Sequence, residues 1–269
     1  MQIVTLIENY AQQGGLLAEH GLSILIDTGS KKILLDTGQT GNFMHNAQVL
    51  GIDIMDIDYV VLSHSHYDHT GGLYAFLKVN KKAIVFCKEE IFIPKYNSTN
   101  DLIGLAYQDD ILKGRVTFID SVTQLTDTIF LNPRIPLHHS IDTHFENLKV
   151  KIIGSLITDE MLDELFITIR HSHTISILSS CSHRGITNIC KTAIDYYKLP
   201  IYSIIGGFHI RHCSSEQYDF LVEYLNNIQP SLLGICHCTG IDRFSELKKD
   251  LKSEVSYNYV GKRLDFQDT

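Results

Sequence analysis

The sequence predicts a mixed fold of short β-strands and helices in one domain. Apolar runs of four to six residues, partly β-branched, recur along the chain and are typical of buried strands. Several of these runs are followed by a polar, glycine-containing loop and then by apolar residues at helical spacing. With 269 residues the chain is long enough to bury a large core.

The first half of the chain contains four predicted strands and two predicted helices. We predict strands at Ser23–Asp27, Ile33–Asp36, Ile57–Leu62 and Ala83–Phe86, the first two joined as a hairpin. A helix follows the hairpin because Phe43, Ala47 and Leu50 fall on one helical face. Gly51 is a natural C-cap for it. A second helix is predicted over 73–77, where the apolar spacing is again helical.

The middle of the chain has the weakest pattern. From Lys88 to Asn147 the periodicity fades, and Pro94, Pro133 and Pro136 interrupt it. We interpret this stretch, about 88–147, as an insertion that partly covers the functional site. The prediction is still a single domain over 1–269.

The second half alternates strands and helices more regularly. Strands are predicted at Leu165–Arg170, Thr174–Ser179, Ile201–Ile205 and Ser231–Ile235. Helices are predicted over 186–197, from Ser214 to Ile228 and over Arg243–Leu251, with Ser214 and Gln217 as a capping box. Three strand–loop–helix units therefore have their loops at Cys181–Gly185, Gly206–Arg211 and Cys236–Gly240.

One segment, Leu62–Gly72, is dense in metal-ligand side chains. It places three imidazoles and a carboxylate within six positions: His64, His66, Asp68 and His69. These groups are ligands of first-row metals. His64 and His66 alternate with Ser65, so both can point the same way from an extended segment. The cluster follows a predicted strand, and open α/β sheets carry their sites at the carboxyl ends of strands.

The cluster resembles the His-x-His-x-Asp-His signature of the metallo-β-lactamase superfamily. The Asp-Thr-Gly strand end at 36–38 and the three later loops follow in the expected order. The combination is most similar to the dihydropterin–ribofuranosylaminobenzene phosphate synthase-like branch. The resemblance implies an α+β fold, an αββα sandwich of two mixed sheets flanked by helices. It also implies an enzyme with two divalent metal ions, zinc being expected and iron or manganese the alternatives.

The resemblance further implies how the metals are held. The predicted metal ligands are His64, His66, Asp68, His69, His183 and His237. The first ion is assigned to His64 and His66, the second to Asp68 and His69, each with one distant histidine. We choose His183 for the first ion and His237 for the second, because each closely follows a predicted strand. For either of these two, a structural role is the alternative.

Two further residues are candidates beside the metals. By resemblance Asp36 orients a metal ligand through a hydrogen bond, and a strand-end turn is the alternative. Many superfamily members have a Gly-His-Thr motif and a bridging aspartate, and neither is present here. Cys181 stands where that aspartate is expected. It is either a thiolate ligand or a small buried residue.

The candidate catalytic residues are Asp68 and His209. His209 follows Gly206 and Gly207, small residues that permit a close approach to a ligand. We favour substrate binding or acid catalysis for His209, with metal ligation as the alternative. Arg211 is a candidate for pairing with a substrate phosphate.

The remaining histidines are interpreted mainly as structural or surface residues. Surface positions are predicted for His138, His139, His144, His171 and His173, which lie in loops and hairpins. His20 is a weaker candidate for lining the site, and His45 is interpreted as structural.

Composition narrows the class of protein. The net charge of −8 and the lack of Lys/Arg runs argue against nucleic acid or an anionic membrane as partner. The start of the chain lacks the features of a signal peptide, and no apolar run approaches ~18 residues. Six scattered cysteines favour a reduced, cytoplasmic enzyme over a disulfide scaffold. A homo-oligomer stays open.

These features favour a metal-dependent hydrolase or transferase that acts on a phosphorylated or pterin-like small molecule. The alternative is a non-enzymatic iron- or zinc-binding redox or sensor module. Cys181, Cys236 and Cys238, near the predicted ligands, keep that alternative open.

Overall fold

Seventeen strands and seven α-helices make up the regular structure of residues 1–266, the part of the chain that this computed structural model describes. The strands are β1 (Gln2–Ile7), β2 (Ser23–Asp27), β3 (Lys32–Leu35), β4 (Tyr59–Val61), β5 (Ile84–Cys87), β6 (Lys95–Tyr96), β7 (Val116–Phe118), β8 (Thr123–Gln124), β9 (Ile129–Asn132), β10 (Lys149–Ile152), β11 (Ser155–Thr158), β12 (Phe166–Arg170), β13 (Ile175–Ser179), β14 (Ile201–Gly206), β15 (Leu232–Ile235), β16 (Glu254–Tyr257) and β17 (Arg263–Asp265). The helices are α1 (Asn42–Val49), α2 (Tyr67–Thr70), α3 (Leu73–Val79), α4 (Asp109–Leu112), α5 (Ile186–Tyr197), α6 (Ser215–Ile228) and α7 (Ile241–Asp250).

The chain divides into two compact units. Of the described residues, the first unit comprises Met1–Asp120, Glu146–Asp163 and Tyr259–Phe266. The second unit comprises Ser121–Phe145 and Glu164–Asn258. Each unit has its own mixed sheet and its own apolar core.

The sheet of the first unit has the strand order β17-β1-β2-β3-β4-β5-β7. The strands from β17 to β3 are antiparallel to their neighbours, and those from β3 to β7 are parallel. Phe43 of α1 and Phe76 of α3 pack with Leu34 and Val60 of the sheet in one buried cluster. Since β3 and β4 are parallel, the segments that follow them leave the same edge of the sheet. A smaller antiparallel sheet, β11-β10-β6, belongs to this unit as well.

The sheet of the second unit has the order β16-β15-β14-β13-β12-β9-β8. The four strands from β16 to β13 are parallel, and the others are antiparallel. Ile189 of α5 and Leu221 of α6 pack with Ile177 and Leu233 of the sheet. The loops after β13, β14 and β15 therefore emerge side by side at one edge.

Most predicted elements are confirmed to within about two residues at their ends, which is the usual uncertainty of such boundaries. Gly51 has a positive φ of 74°, as its predicted role at the end of α1 requires. The strands β1, β6 to β11, β16 and β17 and the helices α2 and α4 are additional. β11 is exposed along its length and β17 has three residues, so neither has a strong hydrophobic pattern. Residues 88–147 supply β7 to one seven-stranded sheet and β8 and β9 to the other, and their covering role stays a prediction.

Helix α6 begins with the predicted capping box. Ser214 Oγ accepts the Gln217 N–H at 3.2 Å, and Gln217 Oε1 accepts the Ser214 N–H at 2.9 Å. Ser214→Ala should lower the free energy of unfolding by ~1 kcal/mol, because the Gln217 N–H loses its side-chain acceptor. Urea denaturation measures this, with Ser215→Ala in the exposed first turn as control. Equal stabilities for the two variants would contradict the prediction.

Candidate metal centre

Four ligand-type side chains of the first unit form one buried group. His64 and His66 lie in the loop after β4, and Asp68 and His69 lie in α2. All four are 9% exposed or less. The ring centroids of His64 and His66 are 4.7 Å apart, and those of His64 and His69 are 4.2 Å apart. We call these four residues the first donor group.

Hydrogen bonds determine which ring nitrogens of this group carry protons. Asp36 Oδ2 lies 2.8 Å from His69 Nδ1 and accepts from Ser63 Oγ at 2.6 Å. Ser63 Oγ in turn lies 2.8 Å from His64 Nδ1. A carboxylate oxygen accepts and the single hydroxyl hydrogen points to Asp36, so both Nδ1 atoms act as donors. In a neutral imidazole, a donating Nδ1 leaves the lone pair on Nε2, which is the form that binds a metal.

His66 is held in the neutral form by burial, which lowers its pKa to about 3. A neutral imidazole is the form that ligates metal ions. Beside it, Asp68 Oδ2 lies 3.6 Å from His69 Nε2 and 3.3 Å from His20 Nε2. The side chain of His20 is 52% exposed, so it lies at the margin of the first donor group.

The second unit has a donor group of its own, built at three adjacent strand ends. Cys181 and His183 follow β13, His209 follows β14, and His237 and Cys238 follow β15. The ligand atoms of Cys181, His183 and His209 all lie within 4.8 Å of one another. Those of Cys181, His237 and Cys238 do so as well. We call these five residues the second donor group.

The backbone is strained next to both donor groups. Asp36, Ser182, His209 and His237 have positive φ values of 58°, 59°, 53° and 55°. Such conformations of non-glycine residues cost on the order of 1–3 kcal/mol each and cluster at functional sites. Packing and hydrogen bonding elsewhere must offset this cost.

The glycines before His209 have a different role from the one the sequence indicates. A Cβ on Gly206 would lie 1.6 Å from the carbonyl oxygen of Ser179, and one on Gly207 would lie 2.5 Å from Cys238 Sγ. Both glycines therefore admit a close approach by the protein's own backbone and thiol. These contacts alone explain why glycine is required at both positions, without the expected approach of a ligand.

Cys238 is a candidate that the sequence reasoning undervalued. Burial raises the pKa of its thiol, but hydrogen bonds with Cys181 and His209 lower the pKa by more than burial raises it. The pKa of Cys238 is therefore well below its usual value. Cys238 Sγ also donates to the Cys181 carbonyl oxygen at 3.5 Å. The signal in the sequence was its position beside His237 at a strand end.

His144 is buried, so its interpretation as a surface residue is wrong. It is 6% exposed, and its ring centroid lies 5.4 Å from that of His209. Its N–H donates to the His183 carbonyl oxygen at 2.8 Å. Its Nε2 lies 3.6 Å from Asp142 Oδ1. A short 3-10 turn at Ser140–Asp142 directly precedes this part of the loop. Loop composition alone does not predict that His144 is buried.

The other predicted loop residues lie nearer to solvent. His138, His173 and Arg211 are exposed. His45 is also exposed, and its Nε2 contacts the Gly15 carbonyl oxygen at 2.9 Å. The stem of Arg211 packs on Gly240, where an added Cβ would lie 3.0 Å from Arg211 Cγ.

Comparisons with known proteins identify the class. Residues 17–153, just over half of the chain, match the model of the metallo-β-lactamase superfamily. The chain therefore belongs to the metallo-β-lactamase superfamily, a class of hydrolase-like proteins whose fold implies binding of divalent metal ions. The predicted family is confirmed.

Individual relatives are similar to this chain over nearly its whole length. A 7,8-dihydropterin-6-methyl-4-(β-D-ribofuranosyl)-aminobenzene-5'-phosphate synthase of Methanocaldococcus jannaschii is 28% identical over 99% of this chain and 97% of its own length. The crystal structure of Tm1679, described as a metal-dependent hydrolase of the β-lactamase superfamily, superposes with a TM-score of 0.88. It is 28% identical and the match covers 100% of both chains. Zinc-bound PqqB of Methylobacterium extorquens shares the fold alone, at 11% identity and a TM-score of 0.60 over 99% of this chain and 100% of that one.

The predicted fold class, α+β with two mixed sheets flanked by helices, is confirmed by these likenesses and by the strand orders. Within residues 1–266, no helix has the length and apolarity needed to cross a membrane. Cys87, Cys190, Cys213 and Cys238 are free thiols.

Proposed function

We propose that this protein is an enzyme that uses two divalent metal ions to act on a phosphorylated or pterin-like small molecule. The observation that carries the proposal is the first donor group, in which Ser63 and Asp36 engage the Nδ1 atoms of His64 and His69, so that Nε2 is the ring nitrogen each would offer a metal. Three buried imidazoles beside a carboxylate form a donor set suited to zinc, iron or manganese. Zinc is our first choice.

The two ions have separate ligands in this proposal. His64, His66 and His183 hold the first ion, and Asp68, His69 and His237 hold the second. Cys181 is a further candidate ligand, since its Sγ is within 4.8 Å of donor atoms of His183 and of His237. Asp36 orients His69 through the bond to Nδ1.

The protein's own residues would act on the substrate from the loop after β14. A bound metal pair would polarise a phosphoryl oxygen and neutralise the charge of a leaving group. His209 would donate a proton to the departing oxygen or bind an anionic oxygen. Arg211, exposed two residues later, would pair with a phosphate through its planar guanidinium. Asp68 is assigned to catalysis as well as to metal binding.

Two reactions suit this arrangement. One is hydrolysis of an ester or phosphate bond. The other is a condensation in which an aromatic nucleophile displaces pyrophosphate from a pterin methylene group. The relative from Methanocaldococcus jannaschii is named a synthase and the structural neighbour a hydrolase, so the names support one reaction each. Both reactions need a charged leaving oxygen beside the metals.

Metal analysis followed by a substrate screen tests the proposal. Protein purified anaerobically should contain close to two divalent ions per chain. It should then turn over a member of a panel of phosphoesters and pterin pyrophosphates, and removal of the metal with a chelator should abolish that turnover. Protein that binds no divalent ion, or that binds ions without turning over any member of the panel, would contradict the proposal.

A redox or sensor module is the second candidate, and the observation that favours it is that the ligand atoms of Cys181, His237 and Cys238 lie within 4.8 Å of one another. Thiolate-rich sites suit iron. Visible iron absorption that bleaches reversibly on reduction would favour this candidate. Zinc or manganese together with turnover would favour the enzyme.

The partner and compartment follow from charge and cysteine chemistry. A net charge of −8 supports a small-molecule substrate over nucleic acid. The free thiols of Cys87, Cys190, Cys213 and Cys238 support a reducing compartment, which we take to be the cytoplasm.

A further inference from the structure

A buried carboxylate holds the ligand loop of the first unit. The loop His64–His66 has a single residue, Ser65, between its two histidines. The Ser65 N–H donates to Asp163 Oδ2 at 2.8 Å, and the side chain of Asp163 is fully buried. This bond fixes the peptide on which both imidazoles depend for their position.

Asp163 is itself held by a buried ammonium group. Its other oxygen, Oδ1, accepts a hydrogen bond from Lys95 Nζ. Lys95 Nζ also lies 2.8 Å from Asp159 Oδ2. Burial lowers the pKa of Lys95, but the carboxylates of Asp163 and Asp159 raise it more, so the ammonium stays charged.

The segment 159–163 is closed around this ammonium. Asp159 Oδ1 accepts the Met161 N–H at 2.8 Å, and Met161 Sδ lies 3.6 Å from Lys95 Nζ. Met161 has a positive φ of 52°, which lets the chain turn back toward Asp163. Asp163 is therefore fixed on both sides, by its own segment and by the cation.

Glu164, the next residue of the chain, holds the ligand loop of the second unit. Glu164 Oε1 accepts the His183 N–H and Oε2 accepts the Arg184 N–H, each at 2.7 Å. Glu164 is 2% exposed. Two oxygens of one buried carboxylate thus hold two successive peptides of the loop that carries His183. A carboxylate is a stronger acceptor for amides than a neutral side chain is.

We propose that the consecutive residues Asp163 and Glu164 are positioning residues for the metal centre, each holding the ligand loop of its own unit. This inference rests on the proposed function. Neither side chain would touch the metal or the substrate. Each would fix the peptide next to a ligand. Groups that orient metal ligands in this way change metal affinity by ~10–100-fold when they are replaced.

Asp163→Asn and Glu164→Gln test the inference while nearly conserving side-chain shape. Each amide retains one accepting oxygen and places an NH2 group where the carboxylate accepted a hydrogen bond. Each variant should bind Zn²⁺ ~10–100-fold more weakly in competition with a chromophoric chelator. We assign His64, His66 and His183 to one ion. Both variants should therefore weaken the binding of that ion and leave the binding of the other unchanged. In Co²⁺-substituted protein, the d–d absorption of the same ion should change.

Glu160→Gln is the matched control. Glu160 is an exposed carboxylate of the same segment, and the substitution is the same change of chemistry as Glu164→Gln. It should change neither the melting temperature, nor Zn²⁺ affinity, nor the cobalt spectrum.

The outcomes separate this inference from the proposed function. Wild-type protein that binds no divalent ion would contradict the proposed function. Wild-type protein that binds metal, with folded Asp163→Asn and Glu164→Gln variants of equal affinity and unchanged cobalt spectra, would overturn the positioning roles alone. The positioning role of Asp163 would also be overturned if Glu160→Gln weakened Zn²⁺ binding as much as Asp163→Asn did. If Asp163→Asn does not fold, Glu164→Gln decides.

Discussion

His209→Ala is expected to keep its full metal content and to lose ~10²–10⁴-fold in turnover. His209 lies at the end of β14, half-buried, with its ring centroid 4.1 Å from that of His183. In the proposed centre each ion already has three protein ligands, which leaves His209 for proton transfer or for an anionic oxygen. The loss should appear in kcat, because a proton donor acts in the transition state. The measurement combines turnover of the substrate found in the screen with metal analysis.

His212→Ala is the control for this variant. It removes an exposed histidine of the same loop and should leave both turnover and metal content unchanged. The contrary result for His209→Ala is the loss of a metal ion on dialysis while the fold persists. His209 would then be a ligand, in keeping with its position within 4.8 Å of donor atoms of Cys181 and His183. One of the six assigned ligands would have to be withdrawn, with His183 the first to re-examine.

Asp68→Ala and His237→Ala are each expected to lose about one metal ion per chain relative to wild type, the count that two separate ions imply. Each substitution removes a ligand assigned to the second ion alone. Asp68 Oδ2 already lies 3.6 Å from His69 Nε2, another ligand assigned to that ion. Metal-to-protein ratios after identical dialysis provide the measurement. Turnover should be lost in both variants, because both reactions considered need the metal pair.

The exposed His173 supplies the control for these two variants. His173→Ala removes an imidazole from a hairpin and should leave the metal-to-protein ratio at the wild-type value. Unchanged ratios in both Asp68→Ala and His237→Ala would refute the assignment of the second ion. Loss of both ions in either variant would show that the two ions do not bind independently.

Local chemistry made a large part of the fold and of the candidate site predictable. The capping box of α6 was visible because its two residues are three positions apart. The first donor group was visible because four ligand-type residues occur within six positions after an apolar run. Cys181, His209 and His237 stood out because each follows a strand closely, and parallel strands deliver their loops to one edge of a sheet.

The supports of these groups were not predictable in the same way. Asp163 is 98 residues from Ser65, and Glu164 is 19 residues from His183, so neither pair produces a sequence period. The contacts of Ser63 and His144 likewise form only when the chain folds. Loop composition therefore led to the wrong prediction that His144 lies at the surface. The close approach of Gly207 to Cys238 depends on the spacing of β14 and β15.

The sequence by itself thus determined the strands and helices that have a strong hydrophobic period and the types of ligand at the strand ends, because these depend on neighbours within a few residues. Only the tertiary structure decided which carboxylates hold the ligand loops, which ring nitrogens of His64 and His69 meet Ser63 and Asp36, and which groups surround the thiol of Cys238. These properties depend on burial and on hydrogen bonds between distant residues. Such contacts are set when the core excludes water and each buried polar group must find a partner.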